Sequence, residues 1–329
     1  MSLRALAAVF YFCCILILGT DASAEEFNIY LKTSPAMGFL RPFADPVNIS
    51  VLVTHADGRP VEQGSVGIVL DAPKSGVFWS TDFPVVENSR LLELVLPLRQ
   101  GRAGWKYLFP IRGDYRLSVT LIASDGKTTA RNFIISVAEN RTKWLWLGLF
   151  CAALFVFGFA AGRVFTFIPV TRTTSWLLLV FAAAGIASGH DAPSSVENIA
   201  NPSMSLEIAA ATVGKPTRLR WRAPNGDAAR TLLSLTILHL EKHKTVFAID
   251  KVSVDKEYLL DFHFPDGAEY RVNSIAERPG QEPVRTEQLV AVTGIEPAMT
   301  AQLPSLVFFL LVIALGLGAG RLSKTSSAH

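Results

Sequence analysis

The chain has 329 residues, half of them hydrophobic, and a formal net charge of +3. A near balance of 31 basic and 28 acidic residues, without any basic block interleaved with aromatic residues, argues against a nucleic-acid partner. Cysteine occurs only at positions 13, 14 and 151, inside apolar runs. The polar segments can therefore hold neither a disulfide nor a cysteine-based metal site.

Residues 1–24 have the pattern of a secretory signal peptide. Arg4 is followed by an apolar run from Ala5 to Leu18, and Ala22-Ser23-Ala24 forms a small-x-small cleavage site. The alternative is an uncleaved membrane anchor. The signal peptide places residues 25–143 outside the cytoplasm.

Residues 25–143 are predicted to form a periplasmic Ig-like β-sandwich. From Val47 to Val53, valine and isoleucine alternate with other residues at period two, as in a strand with one buried face. A second alternation from Leu117 to Ala123 leads through the turn Ser124–Lys127 into a third, which indicates a hairpin. Short, regularly spaced strands with no helical period between them favour an antiparallel sandwich.

Three later runs are predicted to be transmembrane helices, at residues 144–163, 173–189 and 303–320. The first has no charge before its last residue and is long enough to cross a hydrocarbon core of about 30 Å. Basic residues in the loop 164–172 and the tail 321–329 place both on the cytoplasmic side. The predicted fold class is therefore mainly β with transmembrane α: two Ig-like antiparallel sandwiches and three membrane helices in the bacterial inner membrane.

The segment 190–302 is predicted to be the second periplasmic Ig-like β-sandwich, and it resembles the first. FPIRGDYRLSV at Phe109–Val119 is similar to FPDGAEYRVNS at Phe264–Ser274. Both segments precede a membrane helix that ends in G-x-x-x-G-R. Repetition at this spacing predicts an internal duplication of a leader, a β domain and a membrane helix, with 173–189 as the retained leader of the second copy.

Glycine pairs four residues apart occur in all three predicted spans. Such pairs let helix backbones approach closely, so they predict packing between the spans or against other subunits. The alternative is that glycine is simply common in membrane helices. The pairs are Gly158 and Gly162, Gly185 and Gly189, and Gly316 and Gly320.

The sequence contains no nucleophile elbow, P-loop, dinucleotide fingerprint, HExxH or CxxCH motif, so we expect neither an enzyme nor a small-molecule substrate. The metal candidates are His239, His243 and His263, which two adjacent strands could bring together. Imidazole suits copper or zinc. The alternative is that these are rim and surface histidines on amphipathic strands.

Stretches in both predicted domains carry a family resemblance. VNISVLVTHADGRPVEQGSVGIVL in the first domain, and ILHLEKHKTVFAID with DFHFPDGAEYRVNSIAE in the second, resemble YtkA-like and related exported Ig-fold domains. Such domains are often found with copper-handling or respiratory-complex assembly proteins, so the resemblance implies accessory work. The chain lacks the H-x-H-P stretch of the metal-suggesting members.

The leading hypothesis is a non-enzymatic inner-membrane accessory, assembly or scaffold protein that presents two periplasmic β-sandwiches to a protein partner. The alternative is a periplasmic module that binds copper or zinc through the three histidines. A third hypothesis is a subunit of a copper-dependent membrane enzyme, because the order of domains and spans resembles the copper subunit of particulate methane monooxygenase. The chain contains no motif that matches the metal ligands of that copper subunit.

Overall fold

The computed structural model describes residues 27–76, 81, 83–139, 141–164, 205–223, 231–295 and 299–326. Several predicted features lie outside these residues: the signal peptide (1–24), the run 173–189 with Gly185 and Gly189, the loop 164–172 beyond its first residue, and the end of the tail. Below, residues 27–164 are called the first half and residues 205–326 the second half.

Each half contributes seven strands and one helix. The first half contains β1 (Phe27–Ser34), β2 (Val47–His55), β3 (Gly64–Asp71), β4 (Arg90–Pro97), β5 (Arg102–Tyr107), β6 (Gly113–Ala123), β7 (Thr128–Val137) and α1 (Arg141–Val164), with a 3₁₀ helix at Met37–Phe39. The second half contains β8 (Ser205–Ile208), β9 (Pro216–Arg222), β10 (Thr231–His239), β11 (Lys244–Val254), β12 (Glu257–His263), β13 (Glu269–Glu277), β14 (Val284–Ala291) and α2 (Met299–Ser326).

The strands repeat one arrangement in the two halves. In the first half, β1-β2-β5 lie in one sheet and β7-β6-β3-β4 in the other; in the second half, β8-β9-β12 and β14-β13-β10-β11 repeat this order. The arrangement is that of an Ig-like sandwich in which the fourth strand pairs with the third instead of the fifth. All pairings between these strands are antiparallel, as the alternating patterns predict.

The two halves are not separate sandwiches. Strand β5 pairs with β11, and β4 pairs with β12, so both seven-stranded sheets run through both halves. The two junctions have the same register: Tyr107 lies opposite Phe247 in one, and Phe262 lies opposite Leu92 in the other. In each case the counterpart lies 155 positions later in the chain. The halves are therefore related by an approximate twofold axis between them.

The continuous sheets pair edge strands that would be exposed if each half were a separate sandwich. A strand at the edge of a sheet leaves a row of backbone N–H and C=O groups unpaired. Pairing β4 with β12 and β5 with β11 satisfies such groups in both halves, and one hydrophobic core extends through the whole sandwich. The separate Ig-like domains predicted from the sequence are thus fused into one body.

The predicted alternations agree with the observed burial. Residues Val47, Ile49, Val51 and Val53 are all buried, as are Leu117, Val119, Leu121 and Ala123. The turn after β6 contains Gly126 with φ +83°, a conformation that glycine adopts without steric cost. The strand period and the turn residues thus fixed this part of the fold locally.

Each half contains a buried tyrosine at an equivalent position. Tyr115 Oη donates to the carbonyl of Ile111 at 2.6 Å and accepts from its N–H at 3.0 Å. Tyr270 Oη donates to the carboxylate of Asp266, which likewise lies four residues upstream. A tyrosine bonded to the chain just upstream is a hallmark of Ig-like sandwiches. Both tyrosines contact a phenylalanine, Phe109 or Phe264, at nearly equal centroid distances of 4.8 and 4.7 Å.

The two helices are long and apolar enough to cross a membrane. The observed bounds extend a few residues beyond the predicted spans 144–163 and 303–320. α1 begins four residues after β7 ends, and α2 begins eight residues after β14 ends. Since β6 pairs with β7 and β13 with β14 up to these ends, both helices leave the same end of the sandwich, here called the helix end.

Candidate functional site

The predicted histidines all lie at the helix end. His239 is the last residue of β10 and pairs with Tyr270 at the start of β13. His263 is the last residue of β12 and pairs with Pro216 at the start of β9. His243 lies in the turn between β10 and β11. Strands β10 and β12 belong to different sheets, so the expectation of adjacent strands is wrong.

His239 is fully buried and satisfied by the chain itself. Its Nε2 lies 3.2 Å from Asp266 Oδ2, and its Nδ1 lies 3.4 Å from the N–H of Lys242. The ring also packs against Tyr270, with centroids 4.9 Å apart. Because the backbone N–H can only donate, Nδ1 accepts and Nε2–H donates to the carboxylate.

His263 is buried in the opposite sheet, with 1% of its surface exposed. Its Nε2 accepts a hydrogen bond from the N–H of Gly214 at 3.0 Å, which requires an unprotonated Nε2. Burial lowers the pKa of His263, and a weaker backbone interaction with Arg90 opposes this effect. The neutral ring therefore belongs to the folded state. Gly214 itself has φ +82°.

The three histidines do not form a metal centre in this arrangement. No group of three or more His, Cys, Asp or Glu side chains suited to a metal occurs in the part of the chain that the structure describes. His239 and His263 already use ring nitrogens in hydrogen bonds within the chain. The alternative interpretation as rim or surface histidines fits His243, which is exposed, but not His239 and His263, which are buried.

Around His239 the structure places a charged cluster that the sequence analysis did not predict. Asp266 accepts hydrogen bonds from Tyr270 Oη and from Lys242 Nζ, the latter at 2.5 Å. Burial tends to raise the pKa of Asp266, but the hydrogen bonds from Lys242 and Tyr270 and the lysine charge outweigh it, so this pKa lies below its usual value. The only sequence signal was the repeat itself, which aligns Tyr270 with Tyr115.

This cluster connects the second half to the first. Lys242 Nζ lies 3.9 Å from the centroid of the Phe43 ring and 5.6 Å from that of Phe83. Lys244 Nζ donates to the carbonyls of Phe43, at 2.7 Å, and Ala44. Lys242 in the β10–β11 turn and Lys244 at the start of β11 therefore bind loops of the first half. A cation held between aromatic rings and a carboxylate is well suited to such a contact.

A cavity of about 1170 Å³ lies beside the β3–β4 loop at the helix end. Its lining mixes charges of both signs, including Arg90, Arg116 and Asp114, and an ion pair between Arg112 and Glu139. Part of the loop beside it lies outside the described residues. We assign no ligand to this cavity.

The helices pack in parallel through the predicted glycines. A Cβ added at Gly158 would lie 2.5 Å from the carbonyl oxygen of Ile313, and one added at Gly316 would lie 3.2 Å from Gly158 Cα. Cβ atoms added at Gly162 and Gly320 would collide with the backbones of Leu317 and Phe159. Such close approach is possible only without side chains.

The sequence matches no protein-family model and no curated protein. Among solved structures, it is similar to a tetra-tandem repeat in the extending region of a large adhesion protein (9% identity, TM-score 0.23, covering 81% of this chain and 49% of that one). It is also similar to E. coli alpha-2-macroglobulin in its native conformation (10% identity, TM-score 0.26, covering 83% of this chain and 17% of that one). A third similar structure is a Ca²⁺-stabilized adhesin of an Antarctic bacterium (10% identity, TM-score 0.20, covering 77% of this chain and 45% of that one).

The chain spans less than half the length of each of these proteins. TM-scores this low carry no argument about its function. The resemblance to YtkA-like domains stays a prediction.

Proposed function

We propose that the chain is a non-enzymatic accessory or scaffold protein of the bacterial inner membrane, which holds a single two-lobed β-sandwich on the periplasmic side for a protein partner. One observation carries this proposal. Both halves share continuous sheets, and both send an apolar helix from the same end of the sandwich. Such a body would present the same end of the sandwich to the membrane.

The parallel helices support the predicted topology. Phe150 packs on Phe309 with centroids 5.4 Å apart, and Gly158 packs on Gly316, so the two helices run in the same direction. If both cross the membrane outward to inward, the chain between Val164 and Ser205 has to cross back. The predicted third span at 173–189 would supply this crossing. Arg163 and Arg321 then lie at the cytoplasmic ends, in agreement with the positive-inside rule.

The proposed duplication agrees with the same arrangement. Equivalent strands, equivalent tyrosines and the constant spacing of 155 positions across both junctions are what two fused copies of one unit would give. On this view the ancestor was a membrane-anchored Ig-like protein that paired with a second copy through its sheet edges.

Cysteine accessibility in intact spheroplasts tests the topology. A membrane-impermeant thiol reagent should label a cysteine at Tyr30 or at Leu259, one in each half and both about half exposed, without permeabilisation. A cysteine at Ser323 should react only after permeabilisation. Labelling of the two halves from opposite sides would overturn the proposal.

Photo-cross-linking tests the partner. A photo-reactive residue at exposed Tyr30, in one sheet, or Leu259, in the other, should give a discrete adduct with one membrane or periplasmic protein, which co-purifies stoichiometrically with the untreated chain. A chain that stays unlinked from exposed positions in both halves, and purifies alone, would exclude a scaffold role while leaving the membrane topology intact.

A further inference from the structure

The 3₁₀ helix Met37–Phe39 exposes an aromatic side chain that the core does not use. Met37 is partly buried against the core, whereas the Phe39 side chain is 75% exposed. This is the highest exposure recorded for a large hydrophobic residue in the described parts of the chain. Exposing a phenylalanine to water is unfavourable by about 1.5 to 3 kcal/mol relative to burying it.

The chain holds this turn beside the point where α1 begins. The N–H of Ala138, at the end of the first half's sandwich, donates to the carbonyl of Leu40 at 3.1 Å. Arg41 Nη1 donates to the carbonyls of Leu40, at 2.9 Å, and Gly38, at 3.3 Å. Leu40 is itself buried, so the turn is fixed on both sides of Phe39.

The segment that follows this turn lies close to the first turn of the helix. A cavity of about 90 Å³ is lined by Pro42 and Pro110 on the sandwich side and by Lys143 on the helix side. The next residues of the helix include Trp144 and Trp146, which are 52% and 66% exposed. Tryptophan and lysine at this position are typical of the membrane–water interface.

From this placement we infer that the 3₁₀ helix is a second membrane contact, with Phe39 inserted at the boundary between lipid headgroups and acyl chains. The inference rests on the proposed function, because it requires α1 to enter the bilayer at Trp144. The partner is the lipid surface itself: an aromatic ring is suited to the boundary between headgroups and acyl chains, where the tryptophans and the lysine of the first helical turn also belong. The contact would fix the tilt of the sandwich on the membrane.

Depth-dependent quenching tests the inference on the full chain. In a background with Cys13, Cys14 and Cys151 replaced by alanine, single cysteines at residue 39 or 38 carry an environment-sensitive fluorophore. Gly38→Cys is a suitable second variant because an added Cβ there meets nothing within 4 Å. The protein is placed in nanodiscs of phosphatidylethanolamine and phosphatidylglycerol that contain lipids with a nitroxide just below the headgroup.

Two further positions calibrate the measurement. Ile122→Cys is the distal control, since Ile122 is 43% exposed and lies at the opposite end of the sandwich, about 30 Å away at 3.3 Å per strand residue. Trp144→Cys reports whether α1 enters the bilayer. We expect the labels at 38 and 39 to show a blue-shifted emission and at least threefold stronger quenching than the label at 122.

The outcomes separate the two proposals. Strong quenching at 144 with labels at 38 and 39 that behave like the label at 122 would overturn the second membrane contact alone. Absence of quenching at 144 would overturn the membrane anchoring, and this inference with it. Quenching at 38, 39 and 144 but not at 122 supports both.

Discussion

Tyr107 and Phe262 occupy equivalent positions in the two halves and lie with their ring centroids 6.4 Å apart. Each ring also contacts its own half's next aromatic residue, Phe109 or Phe264, at 5.2 and 5.0 Å. The contact between Tyr107 and Phe262 therefore lies at the approximate twofold axis that relates the halves. Both rings are almost fully buried, so the interface between the halves is part of the core.

This contact predicts that the two halves unfold together. Phe262→Ala should lower the free energy of unfolding by about 3 to 5 kcal/mol, because it removes a buried ring and leaves a cavity. Hydrogen exchange measured by mass spectrometry should show faster exchange in β6 as well as in β13, although the substitution lies in the second half. Faster exchange confined to the second half would contradict the fused core.

The contacts of Lys242 with Asp266 and Phe43 should stabilise the junction between the two halves against unfolding. Lys242→Ala removes the cation between Asp266 and the Phe43 ring, and we expect a loss of about 1.5 kcal/mol in unfolding free energy, since the lysine side chain is 37% exposed and its charge is partly screened by water. Arg222→Ala is the control: its ion pair with Glu207 is about half exposed on both sides, so its loss should be within about 1 kcal/mol. Thermal unfolding in detergent measures both. Equal effects of the two variants would show that Lys242 is only a surface charge.

His263 should make stability depend on pH between about 5 and 7. The pKa of His263 is lowered in the folded state, so below the ordinary histidine pKa of about 6.5 the unfolded chain binds more protons. The stability from the neutral ring is complete above that pH and is lost as the pH falls, by at most about 1.4 kcal/mol per pH unit.

His263→Leu provides the matched test, because Leu108 occupies the equivalent, buried position in the first half. The variant loses the hydrogen bond from Gly214 and should be less stable at pH 7. Its unfolding free energy should nevertheless fall less between pH 7 and pH 5 than that of the parent. The same dependence in both proteins would assign the effect to other groups, with Asp266 contributing only at lower pH because its folded-state pKa lies below the ordinary carboxylate value.

The packing of the two helices predicts that substitutions at different glycines have different effects on the helix interface. Gly158→Ile and Gly316→Ile should separate the helices, because a side chain at either position meets the opposite backbone. Gly148→Ile and Gly318→Ile are controls, since an added Cβ at these positions meets nothing within 4 Å. Disulfide formation between cysteines at Phe150 and Phe309, whose rings are in contact, measures the packing in the membrane. Cross-linking that survives Gly158→Ile unchanged would exclude this helix interface.

Much of the fold could be predicted because its determinants are local. The alternation from Val47 to Val53 and the turn glycine Gly126 specify strands and a hairpin without reference to distant residues. The two described helices follow from long apolar runs in the same way. The prediction of three spans remains a prediction, since the segment 173–189 lies outside the described residues.

The histidines show where local reasoning failed. A period-two pattern states which face of a strand a residue occupies, and His239 is buried with Leu233 and Leu235, as their spacing requires. It does not state which sheet the strand joins, and β10 and β12 join different sheets. Lys242 was not singled out for a related reason: its partners Phe43 and Phe83 lie far away in the sequence.

The sequence by itself thus determined the strands, the turns, the apolar helices and the similarity of FPIRGDYRLSV to FPDGAEYRVNS in the second half. Only the tertiary structure decided that the halves fuse, with β4 beside β12 and β5 beside β11. The physical reason is that edge strands carry unpaired backbone groups which any compatible strand can satisfy. Side-chain period is a property of one strand, whereas the choice of partner depends on the burial and hydrogen bonding of the whole sandwich.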